Sequence, residues 1–427
     1  MKRKPSPKLT ISLAIIGLYL LGALLAPHFV DKEGIDNWYN GNYWIRNPRL
    51  APPEWVNLFG SKKPPSRILK PTKEEGRLHV FEYDFHYSRT PQDIKIIFNK
   101  TKFERISITL TTPGGESYVL YNSPIIEELS FRASVKKLIE IGRDKGMDVT
   151  ETDVLFGDAL KPLFFKNESG RIVPDEGKYR ITIVSSAKPQ VFVVGKVYGL
   201  MGTDVKRRDL WVGFLWGLRE TMILVILTSL LATFLGTLLG VSGGLSGAAG
   251  VFSDAVSKIS AITPLLPVMI ALVPVEGKVG PNGILQMPMG LFILILGFLL
   301  SGKISRNVKV MVETEIKKEY IESSVSLGGD RLWILRNHIL KVVIPYGIYQ
   351  LTLLVPRVVA LISLLGFFRA TPGFNWGTLM ASVVIENPRV TIYWWEVLPI
   401  TLALGIFALA FVLINRDMED RMSSKNI

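Results

Sequence analysis

The sequence predicts an α-helical membrane protein with six transmembrane helices and an inserted extracytoplasmic β-rich domain of the sandwich-like type. Two observations predict this fold class. Long uncharged apolar runs lie at both ends of the chain, and a polar stretch with alternating strand patterns separates the first run from the others. The composition agrees, since 48% of the 427 residues are hydrophobic and the mean hydropathy is +0.29. Such a composition favours the membrane class.

The first predicted span covers residues 9–30, follows a basic N-terminus and carries no formal charge. A signal peptide has the same basic flank and apolar run, and Ala26-Pro-His28 resembles a cleavage site. A run of 22 residues is nevertheless long enough to cross about 30 Å of hydrocarbon. We therefore expect an uncleaved helix that enters from the cytoplasm, so that residues 1–30 form an N-terminal tail and the first transmembrane helix.

Residues 31–200 are polar, rich in turn signals and patterned like strands. Over residues 78–88, aromatic side chains alternate with Glu82, Asp84 and His86, which is the period of a half-buried strand. We interpret these three polar residues as its solvent-facing side rather than as a metal site. Further strands are predicted over 93–98, 105–111, 117–121, 178–184 and 190–197, and one helix over 133–143. Because this region follows an outward-going span, it should lie outside the cytoplasm.

Five more spans are predicted over 219–241, 254–275, 284–302, 344–367 and 394–414. Six spans that start inside place both termini and the loops 242–253 and 303–341 in the cytoplasm. Basic residues concentrate in these segments, as the positive-inside rule requires, although Lys206-Arg-Arg208 falls outside. The net charge of +13 is therefore explained by membrane topology rather than by nucleic-acid binding. The prediction is a multi-pass protein of the inner or plasma membrane, in contact with lipid.

The sequence offers no sign of catalysis. The chain has no cysteine, which excludes disulfides, thiolate chemistry and cysteine-based zinc sites, and its four histidines show no ligand spacing. The segment Gly297–Lys303 mimics a phosphate-binding loop, but Ile304 stands where Ser or Thr is needed and the segment ends an apolar run. We expect neither an enzyme nor a cofactor in this chain.

The charged stretch over residues 319–341 is the main functional candidate. Residues 312–327 have the apolar spacing of a helix, Gly328 and the next glycine can end it, and Asp330 can cap a second short helix that runs to Leu340. Two short helices joined by a glycine turn can dock in a groove of a partner domain. An amphipathic loop resting on the membrane surface would show the same pattern.

The spacing within this stretch resembles the "EAA" loop of permease subunits of binding-protein-dependent ABC importers. That family has Glu-Ala-Ala, three residues, Gly, five residues, Ile, three residues and a His-Ile-Leu-Pro-type ending, and every interval matches. Serines replace the alanines, and Lys341 replaces the usual proline. The resemblance implies that an ATPase contacts Glu319, Glu322, Ser323, Ser324, Gly328, Ile334, His338, Ile339 and Leu340.

Further matches are similar to the dipeptide/oligopeptide branch of this family. One is Gly202-Thr-Asp204 followed by Arg208-Asp-Leu210, in which Arg207 replaces a glycine of the family. Others are Leu365-Gly366, Asn375-Trp-Gly377 and Trp394-Trp395. The resemblance covers residues 9–30 and 200–422, whereas typical members have only a short segment in place of the insert at 60–200.

This resemblance implies a five-helix permease core over 201–427 with a coupling loop over 303–341. The implied partners are a second homologous permease subunit, cytoplasmic ATP-binding subunits and an extracytoplasmic solute-binding protein. The branch carries peptides, oligosaccharides and metal chelates, and we expect peptides or oligosaccharides. The alternative is a membrane receptor or signal-transmitting subunit that moves no solute.

Two features stay open at the level of sequence. Arg357 lies well inside the fifth predicted span, where a charge is costly. It would face the solute pathway or the partner permease, or else extend to the outer interface, and the family assigns it no role. The inserted domain would dock the solute-binding protein or cap the pathway exit, or else serve as a spacer or assembly domain.

Overall fold

A computed structural model of the chain describes residues 6–60, 62–98, 104–279, 285–387, 389 and 392–423. The chain divides into two compact units. The helical unit comprises Met1–Tyr39, Val212–Val390 and Val397–Ile427, and the β unit comprises Asn40–Trp211 and Thr391–Glu396. The sequence placed the corresponding boundaries at residues 31 and 200.

Most of the described strands lie in the first half of the chain, and two short strands lie between helices in the second half. The helices are α1 (Pro7–Phe29), α2 (Lys32–Asp36), α3 (Val135–Asp144), α4 (Glu151–Phe156), α5 (Lys161–Phe164), α6 (Leu210–Leu245), α7 (Gly247–Ile262), α8 (Leu265–Glu276), α9 (Met289–Ile316), α10 (Glu319–Ser326), α11 (Arg331–Ile334), α12 (Leu340–Phe367), α13 (Trp376–Glu386) and α14 (Trp394–Ser423). The strands are β1 (Arg67–Leu69), β2 (Pro71–Glu75), β3 (Leu78–Phe85), β4 (Asp93–Phe98), β5 (Arg105–Thr111), β6 (Ser117–Pro124), β7 (Glu128–Ser130), β8 (Phe165–Glu168), β9 (Arg171–Pro174), β10 (Gly177–Val184), β11 (Pro189–Val194), β12 (Lys278–Val279) and β13 (Leu285–Gln286).

Two larger antiparallel sheets, the β8-β9 hairpin and three short helices form the β unit. The first sheet has the order β1-β11-β4-β7 and the second β2-β3-β10-β5-β6. Both contribute to one core, with Ile94 and Val191 from the first sheet and Phe81 and Ile181 from the second almost wholly buried. Period-2 patterning places the apolar side chains of each strand on this inner face. The predicted β-rich region is therefore present, and β4 and β5 coincide with two of the predicted strands.

The helical unit contains apolar helices of membrane-spanning length. Among the described residues, five segments are long and apolar enough to cross a membrane: Pro7–Phe29, Leu210–Leu245, Met289–Ile316, Arg331–Phe367 and Trp394–Asp420. Helices α7 and α8 are long and apolar enough to cross a membrane only when they are taken together, and their axes meet at a bend of 92°. Pro264 lies at this bend. Because proline lacks a backbone N–H, it cannot donate the hydrogen bond that would continue the helix. The predicted span over 254–275 is therefore broken in its middle.

Three glycines of α6, four residues apart, bring this helix close to α9. A Cβ atom added to any of them would lie only 2.6–2.7 Å from a side chain of α9, with Gly236 against Ile304, Gly240 against Val308 and Gly244 against Val312. Small residues at this spacing allow apolar helices to approach at backbone distance. The C-terminal half of α9, which leads into the charged stretch, is thus held against α6 along three turns.

Serine hydroxyls hold the opposite side of α9 against α7. The hydroxyls of Ser253 and Ser305 lie 2.8 Å apart, and Ser257 donates to the carbonyl oxygen of Gly302 over 2.9 Å. A Cβ atom on Gly302 would lie 2.4 Å from the Cβ of Ser260. Hydroxyl donors and close backbone contact suit a helix pair in an apolar environment. Helix α9 is therefore packed between α6 and α7.

Candidate functional site

The charged stretch begins with a break in the helix. The single helix predicted over 312–327 is wrong, because α9 ends at Ile316 and α10 starts at Glu319. The buried carboxylate of Glu315 lies before the break and forms an ion pair of 2.8 Å with Lys318, which lies within it. A buried carboxylate requires a charged or hydrogen-bonding partner. The change of chain direction after Ile316 places Lys318 next to it.

Tyr320 supplies the second partner of Glu315. Its hydroxyl, on the first turn of α10, donates a hydrogen bond to the Glu315 carboxylate. This hydrogen bond, together with burial, raises the pKa of Tyr320 to about 12. The phenol is therefore a neutral donor at physiological pH, and it fixes the first turn of α10 to the end of α9.

A glycine stop ends α10 as the sequence predicted. Gly328 has φ +91°, a left-handed conformation that favours glycine. Its N–H donates to the carbonyl of Val325, and the N–H of Gly329 donates to the carbonyl of Ser324, each over 2.9 Å. This pair of bonds is the Schellman arrangement, which satisfies the last free carbonyls of a helix. It also makes Gly329 necessary, because a Cβ there would lie 2.8 Å from the carbonyl oxygen of Ser324.

Asp330 caps the helix that follows, and this helix does not end at Leu340. The carboxylate of Asp330 accepts from the N–H of Trp333 over 2.8 Å. The short helix α11 passes through a π-helical segment, Leu335–Ile339, directly into α12. Helix continues over Arg331–Phe367, 37 residues in all. The second half of the charged stretch is thus the end of a membrane-length helix.

His338 connects the two halves of the stretch. Its ring lies 5.2 Å from the ring of Tyr320 and 5.2 Å from the ring of Trp333, measured between centroids. The hydroxyl of Ser324 lies 3.5 Å from its Nε2 atom. A half-buried imidazole between two aromatic rings fixes the angle between α10 and α11, because each ring contact depends on orientation.

The predicted site residues fall into three groups by exposure. Ile334 and Ile339 are buried, as is Ile321, and they form the support under the turn. Glu319, Glu322, Ser323 and Gly328 are exposed, whereas Ser324, His338 and Leu340 are partly buried. Ser323 donates its hydroxyl to the carbonyl of Glu319 over 3.0 Å. The exposed group lies along α10 and its turn, which is the surface that a partner could reach.

Sequence reasoning missed the apolar part of this surface. Leu327 is 90% exposed and Leu332 is 70% exposed, one on each side of the glycine turn. A cavity of about 370 Å³ lies between α10 and α11, lined by Ser324, Leu327, Gly328, Gly329, Asp330 and Trp333. Large exposed apolar side chains around a concavity are typical of a protein contact site. The sequence did contain an indication of this surface, because apolar residues directly flank the predicted turn.

The Gly202-Thr-Asp motif forms a buried structural cluster of the β unit. Asp204 and Arg208 are fully buried and form an ion pair of 2.5 Å. The hydroxyl of Thr203 donates to the carbonyl of Pro48 over 2.8 Å. Arg207, which replaces a glycine of the resembled family, has φ +69°. The motif therefore keeps a backbone conformation suited to glycine although the residue is arginine.

The Asn375-Trp-Gly377 motif caps α13 and packs it on α12. The side chain of Asn375 accepts from the N–H groups of Gly377 and Thr378, at 2.9 and 3.2 Å. A Cβ atom on Gly377 would lie 2.2 Å from the carbonyl oxygen of Ser363, and one on Gly366 would lie 2.9 Å from the Cα of Gly377. The two glycines therefore allow α12 and α13 to touch along their backbones.

The segment that mimics a phosphate-binding loop lies wholly within α9. Its N–H groups are used in the helix, so they are not free to hold a nucleotide phosphate. Within the described part of the chain, no three His, Cys, Asp or Glu side chains come together as a metal site would need. Arg357 lies on α12 and lines a cavity with Lys303 and Arg306 of α9.

No protein-family model matches this sequence, and no curated protein is similar to it at a significant level. The motifs and the geometry of the charged stretch therefore carry the functional proposal.

Proposed function

We propose that this chain is the membrane-spanning permease subunit of an ABC importer of the dipeptide/oligopeptide type. In this proposal residues 319–340 form the loop through which a separate ATPase moves the membrane helices. One observation carries it: α10 is a short helix with a defined glycine stop, the exposed Leu327 follows it directly, and its inner side is joined to two membrane-length helices. Through Tyr320 it is joined to Glu315 of α9, and through His338 to the helix that becomes α12.

Such connections suit the transmission of movement. A partner that shifts α10 displaces the end of α9 through the buried Glu315 cluster and the start of the 37-residue helix through His338. That helix is about 55 Å long at a rise of 1.5 Å per residue. Movement at its cytoplasmic end is therefore transmitted across the whole thickness of a membrane. A loop that only rests on the lipid surface would not need to be continuous with such a helix.

The proposed topology has six spans, with α7 and α8 counted as one, and both termini in the cytoplasm. Contacts within the helical unit support the placement of both termini on the same side. Ser6 donates to Asp417, and Lys8 forms an ion pair of 2.9 Å with Asp420, so the two terminal segments meet. Lys309 near the end of α9 pairs with Asp254 near the start of α7 over 2.8 Å. The β unit is then an insert on the outer side of the inner or plasma membrane.

The proposal requires partners that this chain does not supply. ATP would be bound by cytoplasmic ATP-binding subunits, a second homologous permease would complete the pathway, and an extracytoplasmic solute-binding protein would deliver peptides or oligosaccharides. The β unit has its own core of aromatic and aliphatic residues, which suits it to contact one of the extracytoplasmic partners as a separate domain.

Co-purification tests the proposal. The tagged full-length chain is extracted from its native membranes, and the retained proteins are identified by mass spectrometry and assayed for ATP hydrolysis. We expect ATP-binding subunits with the wild type and their loss with Gly328→Val, because valine resists the φ of +91°. Gly247→Val is the matched control, since a Cβ there meets nothing within 4 Å and the backbone is not left-handed.

Loss of the ATP-binding subunits in Gly328→Val alone supports the coupling loop. Equal retention in both variants would contradict it. Absence of any ATP-binding subunit, with a histidine kinase or another signalling protein in its place, would instead support the receptor alternative.

A further inference from the structure

A small cavity in the helical unit is lined by three cationic side chains. It has a volume of about 240 Å³ and lies among α7, α8, α9 and α12. Lys303 and Arg306 from α9 and Arg357 from α12 line it together with serines, a glycine and aliphatic residues, and no acidic residue is among the lining. The charged side chains that line this cavity are thus all positive, which distinguishes it from an ordinary ion-paired surface.

The cavity lies deep along the helices. Ser257 and Ser260 of α7 line it, and they lie about 15–20 Å from the start of that helix at 1.5 Å per residue. Arg357 is the eighteenth residue of α12, which begins at Leu340. In the proposed topology Lys303 and Arg306 lie just beyond the cytoplasmic end of a predicted span, whereas Arg357 lies inside one, where a charge that faces hydrocarbon is costly.

The three cations have no ion-pair partner in the part of the chain that the structure describes. Asp254 pairs with Lys309, although it is also near enough to Arg306 to interact with it electrostatically. All three side chains are exposed on the surface of the single chain. Like charges in a shared cavity repel one another, so an anion between them would relieve this repulsion.

The remaining polar groups of the cavity narrow the class of ligand. Ser257 already donates its hydroxyl to the carbonyls of Ser253 and Gly302, and Ser260 donates to the carbonyl of Leu299. Their protons are therefore used, and the donors that remain for a ligand are cationic. A neutral sugar hydroxyl would gain little here, whereas an oxyanion would accept charge-assisted hydrogen bonds.

The geometry points to a binding site for an oxyanionic group, of the phosphate, sulfonate or carboxylate type, held by Lys303, Arg306 and Arg357. Pockets for drug-sized ligands have about 300–1,000 Å³, so this cavity fits a small anion or the anionic end of a larger molecule. The inference extends the proposed function and rests on its membrane placement. The anionic group would belong to a transported solute or to an acidic lipid headgroup.

The same arrangement links the site to the coupling loop. Two of its cations lie on α9 and the third on α12, and these are the two helices that the charged stretch joins. A change in the angle between them would move Arg357 relative to Lys303 and Arg306. The affinity for the anion would then change with the position of the loop.

Binding to the full-length chain in nanodiscs tests the site and needs no ATPase. In phosphatidylcholine nanodiscs, binding of radiolabelled inorganic phosphate is measured by equilibrium dialysis. In nanodiscs that also contain phosphatidylglycerol, retained lipid is counted by native mass spectrometry. The variants are Arg357→Gln and Lys303→Gln, and the control is Lys258→Gln, which removes an exposed cation of α7 outside the cavity. Circular dichroism verifies the helical content of each variant.

Saturable phosphate binding that falls roughly tenfold or more in Arg357→Gln and Lys303→Gln, but not in Lys258→Gln, supports a site for a soluble anion. Retained phosphatidylglycerol lost in the same two variants, without phosphate binding, supports a lipid headgroup. Absence of both, or equal binding in all four proteins, would overturn the inference. Neither result depends on the co-purification of ATP-binding subunits. The anion site and the coupling loop can therefore be contradicted independently of each other.

Discussion

The hydroxyl of Tyr320 donates a hydrogen bond to the buried carboxylate of Glu315 across the break between α9 and α10. This contact determines where the charged stretch leaves the membrane-length helix and in which direction α10 runs. Lys318, within the break, neutralises the same carboxylate. The break is therefore an ordered joint rather than a frayed helix end.

Removal of the Tyr320 hydroxyl should loosen this joint. In Tyr320→Phe, the buried carboxylate loses one donor, and we expect α10 to lose about 1–3 kcal/mol of local stability. Hydrogen–deuterium exchange of the α10 amides measures this as faster exchange. Tyr346→Phe is the control, because that tyrosine lies on α12 away from Glu315. Equal protection of α10 in both variants would show that the hydrogen bond does not hold the joint.

A larger residue at Gly240 should separate α6 from α9. A Cβ at this position would lie 2.6 Å from the Cβ of Val308, and overpacking of this kind costs about 1–3 kcal/mol or more. We expect Gly240→Val to lower the thermal unfolding midpoint of the full chain in detergent. Gly405→Val, where a Cβ meets nothing within 4 Å, should leave the midpoint near that of the wild type. Similar midpoints for the two variants would contradict the close approach.

Arg207 offers a test of backbone strain in the β unit. Its φ of +69° disfavours any side chain, whereas its guanidinium donates to the carbonyl of Ile45 over 2.9 Å. Both Arg207→Ala and Arg207→Gly lose the guanidinium bonds, but only glycine relieves the strain. Glycine should therefore give the more stable protein, by about 1 kcal/mol, which denaturant unfolding of the full chain measures. A more stable alanine variant would argue against the left-handed backbone.

Glu104 should make the stability of the β unit depend on acidic pH. Burial alone would raise its pKa, but hydrogen bonds from Ser186, Ser185 and the backbone outweigh it and lower the pKa from 4.5 to about 2. A depressed folded-state pKa means that the stabilisation is present above the unfolded value of 4.5 and is lost as pH falls towards 2.

The comparison of wild type with Glu104→Gln isolates this effect. At pH 7 the wild type should be more stable by about 1–3 kcal/mol, and the difference should shrink between pH 4.5 and pH 2. Hydrogen exchange of the β5 and β10 amides in the full chain reports it. Glu82→Gln, an exposed position on β3, controls for surface charge. A difference that does not vary with pH would contradict the assignment.

Much of the fold followed from periodicity. Strands β4 and β5 were predicted to the residue because their apolar side chains alternate and turns bound them. The short strands β1, β8 and β9 were missed, because three or four residues carry too little pattern to identify a strand. Helix α13 was also missed, since its 11 residues are too few for a span and lie between two longer apolar runs.

The joints between elements were less predictable than the elements. Lys317 and Lys318 are good helix formers, so nothing local indicates that α9 stops before them. The break depends on the buried Glu315, a contact of the folded chain. Gly328 was predicted from its turn chemistry, whereas Gly329 is required because of the nearby Ser324 carbonyl. The cationic cavity combines residues from α9 and α12, which only the packing of these helices brings together.

Site-specific crosslinking from Leu327 tests the central claim most directly. The chain contains no cysteine, so Leu327→Cys gives a single thiol at a position that is 90% exposed. A maleimide photocrosslinker attached there in native membranes should capture an ATP-binding subunit, with a yield that changes when ATP is added. Phe59→Cys, exposed on the β unit, should capture none. Crosslinks from Cys at position 327 to lipid alone, or to proteins without an ATP-binding site, would contradict the role of this loop in coupling.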